Sequence, residues 1–482
     1  MKARGISLTA PSTVLKGEKF SLGVKILTDP YPVVAGGCWS VRPSFVSPFN
    51  FSSRGFLYTD DALPDFKGNI EFSGGSGYKG PSAFSFADGK GPLFNDTRAI
   101  RRITDKISFD TSGIKYISCI QPESGVTGIS NPIHVYSNEA ELEEGKLFWG
   151  DIHCHTFFTD GLRCPEELHL FAKDEAFLDI FALSDHSEWI SDRQWDYFAN
   201  VAKDFYNPGS FVTLIGQEWT NHKCGHRNIY YPGDYGPVVR STDRSCSTLE
   251  GLYTIVSKHK GMLIPHHSAN TTMGVDWSRG YNGEIERLVE IYSCWGSSEM
   301  PASMGNKRPI RHLGGEKKGQ HVIDALLKGY RFGFTGSGDI HDGRPGDYLK
   351  YSDNETWQQG IMGVWAKELT REAVFEALYN RRVYATTNVR IFLKFSIGGH
   401  PMGSETVLSG EVPISIEAAS EIPISMVEII KNNELIYTSK EFNNREIKLN
   451  LKQTISSKAS FYYVRVTRAD GEMAWSSPIW IN

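Results

Sequence analysis

Seven short apolar runs punctuate residues 146 to 388, and most of them end on a histidine or a carboxylate. They are KLFWGDIH, LDIFALSD, FVTLIGQE, GMLIPHH, RLVEIYS, FGFTGSGD and IMGVWA, strand-like in length and in β-branched and aromatic content. PEELHLFAKDEAF, RQWDYFANVAKDFY, TLEGLYTIVSKHK and QHVIDALLKGYR lie between them, and TREAVFEALYNRR follows the last. These read as helices, the first opened by Pro165, a residue favoured at that position. Strands alternating with helices argue for a parallel sheet. About seven such units argue for a closed or nearly closed β/α barrel, whose C-terminal strand ends converge on one face.

The flanks have another texture. Residues 1–145 show strand-like runs (FSLGVKIL, IKYISCI, NPIHVYS) broken by Gly, Pro and Ser, without a long amphipathic helix. Residues 389–482 alternate again without helices, and Asn432-Asn433 sits where a hairpin turn is expected. The expected organisation is therefore an N-terminal β domain (1–145), a central β/α barrel (146–388) and a C-terminal β domain (389–482), both flanks sandwich-like. The Gly-, Ser- and Phe-rich stretch 73–90 receives no assignment.

Composition excludes several classes. Across 482 residues, 51 basic against 56 acidic side chains give a net charge of -5, which leaves no nucleic-acid footprint. No apolar run approaches the roughly 20 residues of a membrane span, and the first residues lack the apolar core of a signal peptide. Seven scattered Cys do not form a disulfide framework, so a reducing, cytoplasmic setting is expected. G-x-S-x-G, P-loop and dinucleotide-binding fingerprints are absent from the sequence.

The polar residues at the strand ends carry the chemistry. His153 and His155 follow the first run, and Asp185 and His186 the second. Glu218, then His266 and His267, end the next two, Glu290 lies within the fifth, and Asp339 and His341 follow the sixth. Strand alternation sends His153 and His155 to one side and Cys154 to the other, and Asp339 and His341 have the same spacing. Imidazoles with carboxylates and no thiolate suit Zn, Mn or Fe. Asp160, Asp185, Glu218 and Asp339 gathered on one face would repel each other unless divalent cations lay among them. Glu290 reads better as a hydrogen-bond partner than as a ligand. Arg227 and Arg344 are candidates to clamp an anionic group.

H-x-H-T-x-x-T-D-G at 153–161, A-L-S-D-H at 182–186, G-Q-E at 216–218 and G-S-G-D-I-H at 336–341 resemble successive motifs of the PHP (polymerase and histidinol phosphatase) superfamily. GHRNIYY, VEIYSCWGSSE, HDGRPG and RRVYATT resemble a branch of it that includes carbaryl hydrolases. The resemblance covers about residues 146 to 400. It implies a distorted (β/α)7 barrel with two or three metal ions. His153, His155, Glu218 and Asp339 would hold the first, and Asp160, His186 and His341 the second. Glu218 would bridge to a third, with His226 and one of His266 and His267. Where the family's motif has one His after a Pro, this chain has Pro265-His266-His267, so both remain candidates. Asp185 would orient a ligand imidazole.

The expected protein is a metal-dependent hydrolase that uses a metal-bound hydroxide on a small-molecule substrate, foremost a phosphoester. A carbamate, carboxylic ester or amide is the alternative. A non-catalytic, metal-stabilised binding module is the second alternative. A homo-oligomer is compatible with either flank.

Overall fold

Each of the seven central runs forms a strand, and each of the five helical patterns contains a helix. The structure, a computed structural model, describes residues 3–27, 66–86, 100–347, 356–439, 443–455 and 458–482. Residues 87–90 of the unassigned stretch lie outside these.

The helices form where capping and an apolar stripe coincide. Asp192–Phe205 starts at a capping box of Ser191 and Gln194 and buries Trp195, Phe198, Ala199 and Ala202. Thr248 caps Leu249–Lys258 and Thr370 caps Arg371–Tyr379. The helix Val322–Leu327 is short, and Gly329 follows it at φ 87°. Pro165–Leu170 is α-helical, but its continuation Phe171–Glu175 is a π turn.

Lys146–Asp151, Ile180–Ala182 and Val212–Trp219 are adjacent and parallel, as expected. All eight residues of Val212–Trp219 are buried, as in a strand covered on both faces. The fold then departs from the expected ring. The chain returns after Trp219 as the antiparallel strand Arg227–Tyr231, against which Met262–Pro265 is again antiparallel. The few residues between Trp219 and Arg227 cannot hold the dozen or more that a parallel crossover needs. Leu288–Ser293 and Gly333–Gly336 pair in parallel within a separate three-stranded sheet. Ile361–Ala366 lies antiparallel to Lys146–Asp151. Among the described residues the hydrogen bonding does not close a (β/α)7 ring. The architecture is mixed α/β, rich in strands and poor in helix.

The C-terminal strands extend the same sheet. Val383–Thr386 pairs with Ile361–Ala366 on one side and Met473–Ser476 on the other, and Ser460–Arg468, Gly410–Lys431 and Phe392–Ile397 follow. Asn432 and Asn433, at φ 49° and 67°, make the hairpin turn into Glu434–Ser439. The N-terminal residues build two four-stranded sheets and one three-stranded sheet around a core that includes Leu22, Val24, Ile70 and Ile107. No described helix is long and apolar enough to cross a membrane.

Candidate metal centre

The candidate ligands are set by backbone ties between strand ends. The Asp339 amide donates to the His153 carbonyl at 2.8 Å and the His155 amide to the Ile340 carbonyl at 3.0 Å. The H-x-H and D-I-H segments therefore run side by side, with Cys154 turned into the apolar core. Asp151 Oδ1 accepts from the amides of Gly338 at 2.8 Å and His153 at 3.2 Å, tying the same two loops. The Glu218 amide donates to the Asp185 carbonyl at 3.0 Å, so His186 and Glu218 are neighbours. Asp339 and His267 have φ of 47° and 31°, a conformation that costs non-glycine residues energy and recurs at functional sites.

Side-chain distances test whether a cation fits. Nitrogen and oxygen ligands on one ion at roughly 2.1 Å stand about 3.0 to 3.4 Å from each other. His153 Nε2 is 3.2 Å from Asp339 Oδ1 and 3.4 Å from Glu218 Oε2. His155 Nε2 is 3.3 Å from each of the same two oxygens. Asp160 lies 3.4 Å from His186 Nε2 through Oδ2, and 3.3 Å from His341 Nε2 through Oδ1. The other Glu218 oxygen, Oε1, is 2.7 Å from His226 Nδ1 and 3.4 Å from His266 Nε2. Glu218 thus turns one oxygen to each of two groups. His226, His266 and His267 also offer three nitrogens within 4.8 Å of one another. Both ring nitrogens of His155 and of His266, with Asp160 Oδ1 and His267 Nδ1, are buried without a hydrogen bond. Orphaned buried donors of this type at these spacings fit divalent ions. No cysteine joins these groups among the described residues.

Electrostatics agree with that chemistry. Burial opposes ionisation of Glu218, yet the imidazoles of His186, His266 and His226 hold its carboxyl well below the ordinary range. Asp160, likewise buried, is held down by His341 and His186. Burial, with the neighbouring imidazoles of His266 and His226, pushes His267 well below its usual value. It also lowers His226 and His266. Those carboxylates and the His226, His266 and His267 rings are biased to the states that ligate. Burial opposes protonation of His153 and His186, yet Asp339 and Glu290 beside the first and Glu218 and Asp160 beside the second raise both well above the usual value, so an ion there would displace their protons.

Surrounding groups orient these side chains. Glu290 Oε2 lies 2.9 Å from His153 Nδ1, the partner role expected for it. Trp295 Nε1 donates to Asp339 Oδ2 at 2.6 Å, and Thr220 Oγ1 is 2.6 Å from His186 Nδ1. Asp185 belongs to none of the ligand groups among the described residues. Its Oδ1 accepts from the Thr156 amide and hydroxyl and from the Thr159 hydroxyl, bracing the loop that carries Asp160. Burial raises its pKa. Neither arginine lines the cleft. Arg227 Nε pairs with Glu286 at 2.6 Å, and its Nη1 donates to the Cys224 and Gly225 carbonyls. Arg344 Nη2 pairs with Asp347 at 2.5 Å. Buried carboxylates thus pair with both guanidiniums.

Trp189, Thr220, His222, Met273 and Trp295 join the ligands in lining a cleft of about 70 Å³. Trp189 is 52% exposed and packs on His186 at 4.6 Å. None of these is expected from the sequence as cleft lining; the signals available were His222, four residues before His226, and Trp295, inside the VEIYSCWGSSE motif.

Residues 164–306 and 344–424 match the sequence profile of a family described as protein of unknown function (DUF3604). An uncharacterized protein of Chlamydia pneumoniae is 32% identical over 402 residues, covering 79% of this chain and 64% of that protein. One from Chlamydia trachomatis serovar D is 28% identical over the same shares. The chain thus spans 64% of the length of the curated relatives it matches. A crystal structure of a two-domain protein containing a predicted PHP-like metal-dependent phosphoesterase, from Bacteroides vulgatus ATCC 8482, aligns with a TM-score of 0.37. It is 18% identical over 70% of this chain and 96% of that one.

Proposed function

We propose that this chain is a metal-dependent hydrolase of the PHP type, acting on a phosphoester at the Glu218-centred cluster. The barrel of that type would here be opened by the Arg227–Tyr231 return strand. The observation that carries the reading is the packing of His153, His155, Glu218 and Asp339 at 3.2 to 3.4 Å, with two further donor groups adjoining it. Divalent ions held there would supply Lewis acidity and an activated water. His153, His155, Glu218 and Asp339 would hold one ion, and Asp160, His186 and His341 a second. Glu218 would reach a third with His226, His266 and His267. Adjacent cation positions suit a phosphoryl group, which offers several oxygens, better than one carbonyl. No Lys or Arg lines the cleft among the described residues, so substrate charge would be met by the ions. Glu290, Trp295 and Thr220 hold the ligand atoms in place, and Trp189 and Met273 line the cleft beside them.

A carbamate or carboxylic ester, the bond favoured by the carbaryl-hydrolase resemblance, is the second reading. The apolar surfaces of Trp189 and Met273 beside the cleft favour it. The test is hydrolysis of matched nitrophenyl phosphate, nitrophenyl ester and aryl carbamate with added Mn or Zn. A chelator-treated sample and Asp339→Ala serve as controls. Metal-dependent turnover of the phosphate, lost in the variant, is expected. Turnover of the ester or carbamate alone would establish the second reading. Binding of metal without any turnover would favour a non-catalytic, metal-stabilised module.

A further inference from the structure

A lysine inside a sheet is costly unless a partner is brought to it. Lys25, on the N-terminal strand Phe20–Leu27, is 6% exposed between Val24 and Ile26, both fully buried. Its Nζ lies 3.6 Å from Asp347 Oδ1, and the other Asp347 oxygen takes Arg344 Nη2 at 2.5 Å. Lys25, Arg163 and Arg344 all stand over the ring of Phe171, at 5.7, 5.2 and 6.0 Å from its centroid. Two carboxylates stand among these three charges, Asp342 beside Arg344 and Arg163, and Asp347 beside Arg344 and Lys25.

The segment that supplies these carboxylates begins at His341. Gln359 clamps it, donating to the Arg344 and Asp347 carbonyls at 2.9 Å each and accepting from the Gly346 amide at 3.0 Å. Asn388 Nδ2 donates to the Asp347 carbonyl at 2.5 Å. Gly343 has φ 79°, and a Cβ there would come within 2.8 Å of Arg163, which extends the loop that carries Asp160. At the other end of the segment His341 stacks on His155 at 4.2 Å and points Nε2 at Asp160.

We propose that Lys25 is a positioning residue for the metal centre. Through Asp347 and Arg344, the N-terminal sheet fixes residues 341–347 and so holds His341 against Asp160. This rests on the metal-hydrolase reading above. The N-terminal sheets are then a working part of the site rather than an appendage.

The test is Mn titration of the full chain, with bound metal counted by elemental analysis. Lys25→Met should weaken one site about 10- to 100-fold, the usual cost of losing an outer-shell partner. At limiting Mn it should carry one equivalent fewer than wild type. Lys25→Arg should restore the lost equivalent. Ile107→Val, which trims the same N-terminal core away from Lys25, should lower stability with metal content unchanged. Asp347→Asn cuts the link from the loop side and should reproduce the loss, whether or not Lys25→Met folds. Wild-type metal content and affinity in either Lys25→Met or Asp347→Asn would overturn the proposal and leave the hydrolase reading standing. A wild-type chain that binds no divalent metal would overturn both.

Discussion

Glu290 occupies a fully buried position within Leu288–Ser293 and spends its charge on one ring nitrogen, His153 Nδ1. That contact fixes the tautomer and leaves Nε2 for Glu218, Asp339 and a cation. Glu290→Gln keeps the shape and weakens the carboxylate's hold. It should lower metal affinity about 10- to 100-fold with little change in the metal-free melting temperature, read by titration and calorimetry. Arg227 and Arg344 teach the opposite lesson. The sequence placed them beside ligands, but it does not reveal where a long side chain finds its counter-ion. His169 bears on pH dependence instead. Its Nδ1 faces the Pro165 carbonyl at 2.7 Å, and burial pushes its pKa down to about 4. Above pH 6.5 both folded and unfolded states hold this ring neutral, so it adds no pH dependence. Between 6.5 and about 4 only the unfolded chain gains the proton, so stability falls as pH falls, by about 3 kcal/mol at most. His169→Met should flatten that part of the curve in urea denaturation from pH 6.5 to 4.5.

At the scale of elements, the strand runs and capped helices were legible because burial pattern and cap chemistry are local. The return strand Arg227–Tyr231 was not, although GHRNIYY is apolar enough to be one. A hairpin is recognised from its pairing partner, and that partner, Val212–Trp219, had already been read as one strand of a parallel sheet. The direction of Ile361–Ala366 was hidden for the same reason. Gly161 shows how tightly one loop packs on the next. A Cβ there would meet the His155 carbonyl oxygen at 2.1 Å, and backbone cannot step aside as a side-chain tip can. Gly161→Ala should destabilise the fold by about 1 to 3 kcal/mol and displace His155 or Asp160. Reduced metal content in a still-folded variant is the expected outcome, measured by elemental analysis beside circular dichroism.

For the whole molecule, buried like charges would make a bound metal a folding partner. Asp160, Glu218 and Asp339 sit together at 1 to 5% exposure. A bound ion joins only the folded state, so saturating Mn or Zn should raise stability by about 2.7 kcal/mol at a hundredfold excess over Kd. Thermal melts with and without chelator should differ accordingly. Asp339→Ala should remove most of that difference. The three chain regions also share more than proximity. The C-terminal strands are hydrogen-bonded into the central sheet, and Lys25 reaches the 341–347 segment.

The sequence by itself determined which residue types end each strand and that His153 and His155 share one side of theirs. Those follow from periods of two and 3.6 residues, which neighbours alone enforce. Only the tertiary structure decided that Glu218 divides its oxygens between two groups and that both arginines are occupied elsewhere. It alone decided that the sheet takes an antiparallel return instead of closing. Such outcomes depend on which distant partner each buried charge or strand edge finds, and that choice is made by three-dimensional packing, not by spacing along the chain.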